Sequence, residues 1–224
     1  MVASFCQAHA AMDTPASAPR TVVLDHPLIR ARLTELRRVS TETLHFRQAL
    51  HDIAQLMTYE LTRDLETEPF EIETPIRKTE GARLKRPVTL VPVLRAGAGM
   101  LNGFTEILSD AAVAFIGLYR DEQSLRPRPY YSNFPPTLGE SDVILIDPML
   151  ATGHSGAEAA AQLKNAGATR IRFATLIAAP EGVAEFHSRH PDIPIFTASV
   201  DEGLNEKAYI VPGLGDAGDR YFGT

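Results

Sequence analysis

Cysteine and long apolar runs are what this 224-residue sequence most clearly lacks. Its single cysteine, Cys6, can form neither an intramolecular disulfide nor a cysteine-based zinc site, which excludes a disulfide-stapled scaffold. Such cysteine usage is typical of the reducing cytosol, so we expect a cytoplasmic protein without a metal site of its own. No apolar run approaches the roughly 20 residues that a membrane-spanning helix needs, and no membrane partner is expected.

Positive charge is also scarce. The chain has 22 Lys and Arg against 28 Asp and Glu, a net charge of −6, which disfavours a general nucleic-acid-binding protein. Any phosphate ligand must therefore be held by locally placed arginines and by backbone amides. Hydrophobic residues at 44% and charged residues at 22% are close to globular averages, so a largely disordered chain is excluded.

The first 20 residues lack the periodicity of the rest. They are rich in Ala, Ser and Pro, and their apolar part is too short and too interrupted for a secretory signal. Asp13 and the scarcity of arginine disfavour a transit peptide, and Met12 could serve as an alternative start. We expect a disordered tail over residues 1–20 and a single domain over residues 21–224.

Two amphipathic helices are predicted ahead of the core. Apolar residues recur at helical spacing after Pro27, and a longer helix should run from an N-cap at Ser40 or Thr41 to Leu61. The arginines of residues 30–38 could form an anion-binding patch. We favour a solvated helix face, since charge runs on helices usually face water.

Short apolar strands alternate with helices in the remainder of the chain. We predict strands at residues 69–74, 88–93, 113–119, 143–147, 171–178 and 195–200, and helices at 100–108, 155–167 and 183–187. This alternation predicts an α/β fold whose mainly parallel, twisted sheet is flanked by helices on both faces. Ligands of such sheets bind beyond the carboxyl ends of the strands.

Residues 143–155, VILIDPMLATGHS, are the segment most indicative of chemistry. A buried strand delivers Asp147 to its carboxyl end, and small residues then turn the chain into a helix whose first N–H groups can bind a phosphate. Thr152 and Ser155 add hydroxyl donors, and Gly153 lets the backbone approach closely. A carboxylate beside a phosphate cradle suits a 5-phosphorylated sugar. The alternative is an ordinary strand-to-helix turn with an N-cap.

Two better-known phosphate motifs do not fit. No Gly-Lys-Ser or Gly-Lys-Thr follows the strand, so this is not a Walker A loop. The AGAG run of residues 96–99 lacks the third glycine of a dinucleotide-binding fingerprint.

The segment around Asp147 resembles the signature of type I phosphoribosyltransferases, and blocks along the chain resemble the uracil phosphoribosyltransferase family in the same order. These blocks are DHPL (25–28), LMTYE (56–60), VPVLRAGAGM (91–100), YRDEQ (119–123), IDPMLATG (146–153), AAPEG (178–182) and DEGLNEKAYIVPGLGDAGDR (201–220). The resemblance implies the type I phosphoribosyltransferase fold with an N-terminal helical preface and a β-hairpin arm at residues 120–136. It also implies conversion of uracil and 5-phosphoribosyl 1-pyrophosphate (PRPP) to uridine monophosphate (UMP) and pyrophosphate, in pyrimidine salvage.

The resemblance also assigns the site residues. It implies PRPP binding by Arg95, Arg120, Asp147, Pro148, Met149, Leu150, Ala151, Thr152, Gly153, His154, Ser155 and Asp216. It implies uracil binding by Ile210, Gly215, Asp216 and Ala217. Catalytic roles fall to Arg95 on the pyrophosphate, to Asp147 on the ribose hydroxyls, and to Asp216 as the leading candidate to influence proton loss from uracil N1.

Several assignments have alternatives. A surface salt bridge is a weak alternative for Arg95 and a stronger one for Arg120, which precedes two acidic residues. Arg126 and Arg128 could reach the diphosphate or remain solvated, and we assign the two tyrosines of residues 130–131 to loop packing.

His154 departs from the family pattern, which usually has a second glycine after Gly153. Its side chain could donate to the phosphate when protonated, or it could point to solvent, which we favour. A positive φ at this position would be costly for histidine and would distort the loop.

The resemblance further implies Mg²⁺ carried on PRPP, a homodimer or homotetramer, and activation by GTP, for which no motif identifies a site. Two alternatives stay open. One is a phosphoribosyltransferase for another base. The other is a phosphoribosyltransferase-like regulator that senses uridine nucleotides and binds RNA, which Arg95 and the absence of a basic face disfavour.

Overall fold

The computed structural model describes residues 20–120 and 127–224. Apart from Arg20, the predicted tail lies outside the described residues, as does Arg126. The helices are α1 (Pro27–Arg37), α2 (Thr43–Leu61), α3 (Ala98–Ile107), α4 (His154–Asn165), α5 (Pro180–Arg189) and α6 (Ala217–Phe222). The strands are β1 (Thr21–Val23), β2 (Thr67–Glu73), β3 (Lys78–Leu84), β4 (Val88–Leu94), β5 (Ala112–Val113), β6 (Phe115–Arg120), β7 (Pro127–Asn133), β8 (Asp142–Ile146), β9 (Met149–Leu150), β10 (Arg170–Ala178), β11 (Ile195–Val200), β12 (Gly203–Leu204) and β13 (Ile210–Val211).

The central sheet has the strand order β1-β11-β10-β8-β4-β6-β7, with β5 beside β4 and β9 beside β10. Its pairs are parallel except for the β6–β7 hairpin. After β4, the chain adds β6 and β7 on one side of that strand. It then adds β8, β10 and β11 in succession on the other side. The strand order therefore reverses between β4 and β8, and crevices at such reversals are where α/β sheets bind ligands.

Both faces of the sheet are buried, because apolar side chains point alternately to two helical layers. In β8, Ile144 and Ile146 pack with the layer of α1, α2 and α3, whereas Val143 and Leu145 pack with that of α4 and α5. This arrangement confirms the predicted mainly parallel sheet between helices and the helical preface of α1 and α2.

Two longer hairpins are present, of which β6 with β7 belongs to the central sheet and β2 with β3 forms a separate two-stranded sheet. The predicted arm is present as β6 and β7, which pair from Phe115 and Asn133 to Arg120 and Pro127. The second hairpin, β2 with β3, was predicted only as a single strand at residues 69–74. Its second strand, KTEGARL, lacks the apolar alternation that reveals strands, and cross-strand ion pairs such as Lys78 to Glu71 (2.7 Å) accompany the pairing.

Helix boundaries differ from the predictions by a few residues. The N-cap of α2 is Glu42, without a side-chain capping hydrogen bond, so the predicted capping by Ser40 or Thr41 is wrong. Helix α5 starts at Pro180 and is longer than predicted, because proline is well accommodated in the first turn of a helix.

Candidate active site

The carboxyl ends of the parallel strands bring the predicted residues to one edge of the sheet. Arg95 follows β4 and Asp147 follows β8, the two neighbouring strands at the reversal of strand order. Asp201 follows β11 on the same edge. Arg95 and Asp147 thus lie at the crevice that the topology predicts, whereas Asp201 is buried further along the same edge.

The loop from Asp147 to Gly153 packs directly on the start of α5. Gly153 has a φ of 81°, and a Cβ there would lie 2.6 Å from the carbonyl oxygen of Gly182. A Cβ on Gly182 would in turn collide with the carbonyl oxygen of Ala151. Only glycine fits at these two contacts, so the loop is held at backbone distance from α5.

Helix α4 begins directly after this loop. Gly153 is its N-cap residue and makes no side-chain capping bond, so the amides of the first turn keep their capacity to bind an anion. The positive φ lies on Gly153, and the histidine that follows it is helical. The side chains of His154 and Ser155 are exposed, and that of Thr152 is half-buried.

Asp147 occupies an environment that disfavours its charged form. Burial raises the pKa of this carboxyl to about 7, and an amide hydrogen bond donated by Met149 (3.4 Å) opposes the shift. No charged neighbour contributes to the shift. Hydroxyl donors from a bound sugar would restore the hydrogen bonds that the carboxylate loses on burial.

The loop that carries Arg95 is also tightly packed. A Cβ on Gly97 would lie 2.5 Å from the carbonyl oxygen of Ile146, so this loop contacts the end of β8. The Leu94–Arg95 peptide is cis. The side chain of Arg95 is 64% exposed and lies 3.6 Å from Asp219 and 5.8 Å from the ring centre of Phe222. Arg95 thus makes the surface ion pair that its sequence context disfavours, and an exposed pair of this kind is easily displaced by phosphate.

The predicted uracil segment folds into turns beside this arginine. Ile210 and Ala217 are buried, whereas Gly215 (φ 81°) and Asp216 are exposed. Asp216 accepts the amide hydrogen bond of Asp219 (2.8 Å) and caps α6. A Cβ on Gly218 would lie 3.7 Å from the Ala96 side chain, so the loop that carries Arg95 and the predicted uracil segment adjoin.

The hairpin residues are described only in part. Arg120 is the last residue of β6, and its backbone pairs with Pro127. Arg128 is exposed opposite Tyr119. Tyr130 packs over Gly117, where a Cβ would lie 2.5 Å from the ring, as expected of loop packing.

Sequence reasoning missed one charged pair at this edge. Arg37 forms a two-pronged ion pair with Asp201, so the prediction of a solvated face for residues 30–38 is wrong at this position. The available signal was an aspartate directly after a buried strand, the same context that identified Asp147.

Residues 20–120 and 127–224 show neither a metal-binding cluster nor a membrane-spanning helix. No three His, Cys, Asp or Glu side chains in this part of the chain are grouped as a metal site. None of its helices combines the length and apolar character needed to cross a membrane.

A family model described as "Uracil phosphoribosyltransferase" matches residues 23–224. Curated proteins of that name include one from Malacoplasma penetrans, 51% identical over 91% of this chain and 99% of its own, and one from Staphylococcus aureus, 50% identical over 90% and 97%. Among solved structures, the AQ2163 protein from Aquifex aeolicus superposes with a TM-score of 0.86 at 35% identity, covering 90% of this chain and 97% of its own. An adenine phosphoribosyl transferase from Trypanosoma brucei, at 16% identity and a TM-score of 0.54 over 88% and 87% of the two chains, shares the fold.

Proposed function

This chain belongs to the uracil phosphoribosyltransferase family and is an enzyme of pentosyl transfer, and we propose how its residues join uracil to PRPP to give UMP and pyrophosphate. The observation that carries the proposal is the meeting of Asp147, Arg95 and the turns of residues 210–217 at one crevice. Residues 21–224 would form the single domain that performs this reaction.

The sugar phosphate would bind at the loop after β8. Asp147 would accept hydrogen bonds from the ribose hydroxyls, and the loop of residues 148–155, with the first amides of α4, would hold the 5-phosphate. The glycine contact with α5 supports this role, since a rigid loop presents its amides without further ordering.

The pyrophosphate would be held by Arg95 and Arg120. An exposed guanidinium in a loose ion pair with Asp219 can exchange that partner for phosphate oxygens. Negative charge grows on the pyrophosphate as its bond to the anomeric carbon breaks. Arg95 would therefore stabilise the transition state more than the ground state.

Uracil would be recognised by backbone groups. Uracil presents an acceptor, a donor and an acceptor along one edge, and backbone groups of Ile210, Gly215, Asp216 and Ala217 would supply their complements. Cytosine would place an amino group opposite a buried donor, and sites of this kind discriminate by about 10⁴-fold.

The bond exchange needs no covalent nucleophile from the protein. The transition state would be oxocarbenium-like at the anomeric carbon, so position and charge supply the catalysis. Asp216 is exposed and accepts the Asp219 amide hydrogen bond with one carboxylate oxygen. The other oxygen would be the one to influence proton loss from uracil N1.

Mg²⁺ would arrive on PRPP. This cation keeps several waters and is commonly held by substrate phosphates with one or two carboxylates. Asp147 makes no ion pair with another of the described residues. Its carboxylate could therefore serve as a Mg²⁺ ligand on the ribose side. The ion would neutralise charge on the leaving pyrophosphate.

Assembly and regulation are proposed on the resemblance. We expect a homodimer or homotetramer. Activation by GTP, a place in pyrimidine salvage and a cytoplasmic location remain predictions.

The test is pyrophosphate release with PRPP and Mg²⁺, measured with uracil, cytosine and hypoxanthine, each with and without GTP. We expect release with uracil alone among the three bases and faster release with GTP. Release with hypoxanthine in place of uracil would contradict the proposal, as would RNA binding without any pyrophosphate release.

A further inference from the structure

A buried ion pair lies beneath the proposed uracil turn. Asp201 directly follows β11, and its side chain is 2% exposed. Arg37, the last residue of α1, donates hydrogen bonds to both carboxylate oxygens, from Nη2 to Oδ1 at 2.6 Å and from Nη1 to Oδ2 at 2.7 Å. Ser199 donates to Oδ1 at 2.7 Å. The pair therefore joins the end of a helix to the ligand-binding edge of the sheet.

The same two side chains hold Gly213 by both of its backbone groups. Its amide donates to Asp201 Oδ2 at 3.0 Å, and its carbonyl oxygen accepts from Arg37 Nη1 at 2.8 Å. Gly213 has a φ of 63° and folds so tightly onto Ile210 that a Cβ would collide with the Ile210 carbonyl oxygen. It lies between Ile210 and Gly215, two residues assigned to uracil, so its position sets theirs.

A second arginine fixes the turn from the C-terminal side. Arg220 in α6 donates to the carbonyl oxygens of Leu214 (2.8 Å) and Arg38 (2.6 Å), and also to that of Leu36. The end of α1 is thus a platform to which both sides of the turn are tied.

The electrostatics favour a geometric role over a purely stabilising one. Burial disfavours the Asp201 carboxylate, but hydrogen bonds from Arg37, Ser199 and Gly213 hold its pKa below the ordinary value. Desolvation offsets most of the attraction within a buried ion pair, and an apolar pair often stabilises a fold equally well. What an apolar pair cannot supply is directional contact with both the N–H and the C=O of one glycine.

We propose that Arg37 and Asp201 are positioning residues for uracil, which hold the turn of residues 210–215 in the conformation that presents its backbone groups to the base. This inference rests on the proposed function. The two residues act through Gly213 and do not touch the substrate.

The test compares R37M and D201N with R172M in pyrophosphate-release assays. Arg172 is a matched control, because it too is an arginine that ties the sheet to the carbonyl end of a helix, at Leu61 and Asp64, but at the opposite edge. We expect R37M and D201N to raise the KM for uracil about tenfold, the cost of roughly one charged hydrogen bond, with the KM for PRPP unchanged. R172M should lower the melting temperature and leave both KM values unchanged.

Milder variants keep the test decisive if D201N fails to fold. S199A removes one hydrogen bond to Asp201 and should raise the KM for uracil about threefold, and R37K should recover part of the loss in R37M. Unchanged uracil KM values in folded R37M, D201N or S199A would overturn the inference, and so would equal rises in both KM values.

A second readout separates this inference from the proposed function. Hydrogen exchange at the amides of residues 210–217, measured without substrate, should accelerate in D201N or S199A and stay unchanged in R172M. If the unaltered protein released no pyrophosphate with uracil, the proposed function would fail, and the exchange data alone would decide whether the pair holds the turn. Unchanged exchange in D201N or S199A would overturn the inference.

Discussion

Replacing Asp147 with asparagine should weaken catalysis and strengthen the unliganded fold at the same time. Burial raises the pKa of this carboxyl from 3.8 to about 7, so in free protein at pH 7 about half of the molecules carry a proton there. Between about pH 4 and pH 7 the folded chain binds a proton that the unfolded chain has released. The stability contribution of this site is therefore complete below about pH 4 and is lost as the pH rises through 7.

The size of the effect follows from the shift. About 3 pKa units at about 1.4 kcal/mol each give a loss of at most about 4 kcal/mol at pH 8, an upper bound because the side chain is half-buried. The amide of D147N does not titrate, so the variant should be more stable than the unaltered protein at pH 8 and should lack this pH dependence. Urea unfolding without ligands, at intervals from pH 4 to pH 8, measures both quantities.

The catalytic loss is measured separately. Asparagine offers only one acceptor and no charge to the ribose hydroxyls, so kcat/KM for PRPP should fall about 10- to 100-fold at pH 8. In the unaltered protein the same constant should fall as the pH drops below about 7, when the carboxyl takes up its proton. A D147N variant with undiminished kcat/KM, or with the unaltered pH dependence of unfolding, would refute the reasoning.

Three further substitutions test the rest of the site. R95A should lower kcat about 100-fold, since a charged contact to the leaving group is lost. The free energy of unfolding in urea should change by less than about 1 kcal/mol, because the ion pair of Arg95 with Asp219 is exposed. A large loss of stability with intact kcat would instead assign Arg95 a structural role. G153A places a Cβ at a φ of 81° and 2.6 Å from the Gly182 carbonyl oxygen, and should cost about 2 kcal/mol or more in urea unfolding and raise the KM for PRPP; a neutral result would mean that the loop adapts freely. H154G should change the KM for PRPP less than about threefold, because the His154 side chain is exposed; a tenfold rise would show that the imidazole binds phosphate.

The central sheet could be predicted from sequence because its strands are short, apolar and buried on both faces. A run such as VILI before Asp147 is apolar at every position, which indicates a strand buried on both faces. An acidic residue at the end of such a run marks the ligand-binding edge of the sheet. The loop of small residues before α4 was predictable for the same reason, since a glycine in that context indicates close backbone contact.

Two features could not be predicted because they depend on partners distant in sequence. In the sequence, Arg37 does not differ from the other arginines of its helix. Only the fold brings it into contact with Asp201, which is 164 residues away. Strand β3 has no apolar pattern, and its pairing with β2 depends on a turn and on charged cross-strand contacts. Local patterns report burial well, but they do not identify which polar residue of a run finds a buried partner.

The reciprocal glycine contact between the phosphate loop and α5 limits how this enzyme can diversify. An added methyl group at Gly153 meets the Gly182 carbonyl, and one at Gly182 meets the carbonyl of Ala151, so a change at one position cannot be compensated at the other. The neighbouring His154 faces solvent and is free of this constraint. Directed evolution toward other sugar phosphates can therefore substitute exposed loop positions such as His154. Gly153 and Gly182, where the loop contacts α5, must remain glycine.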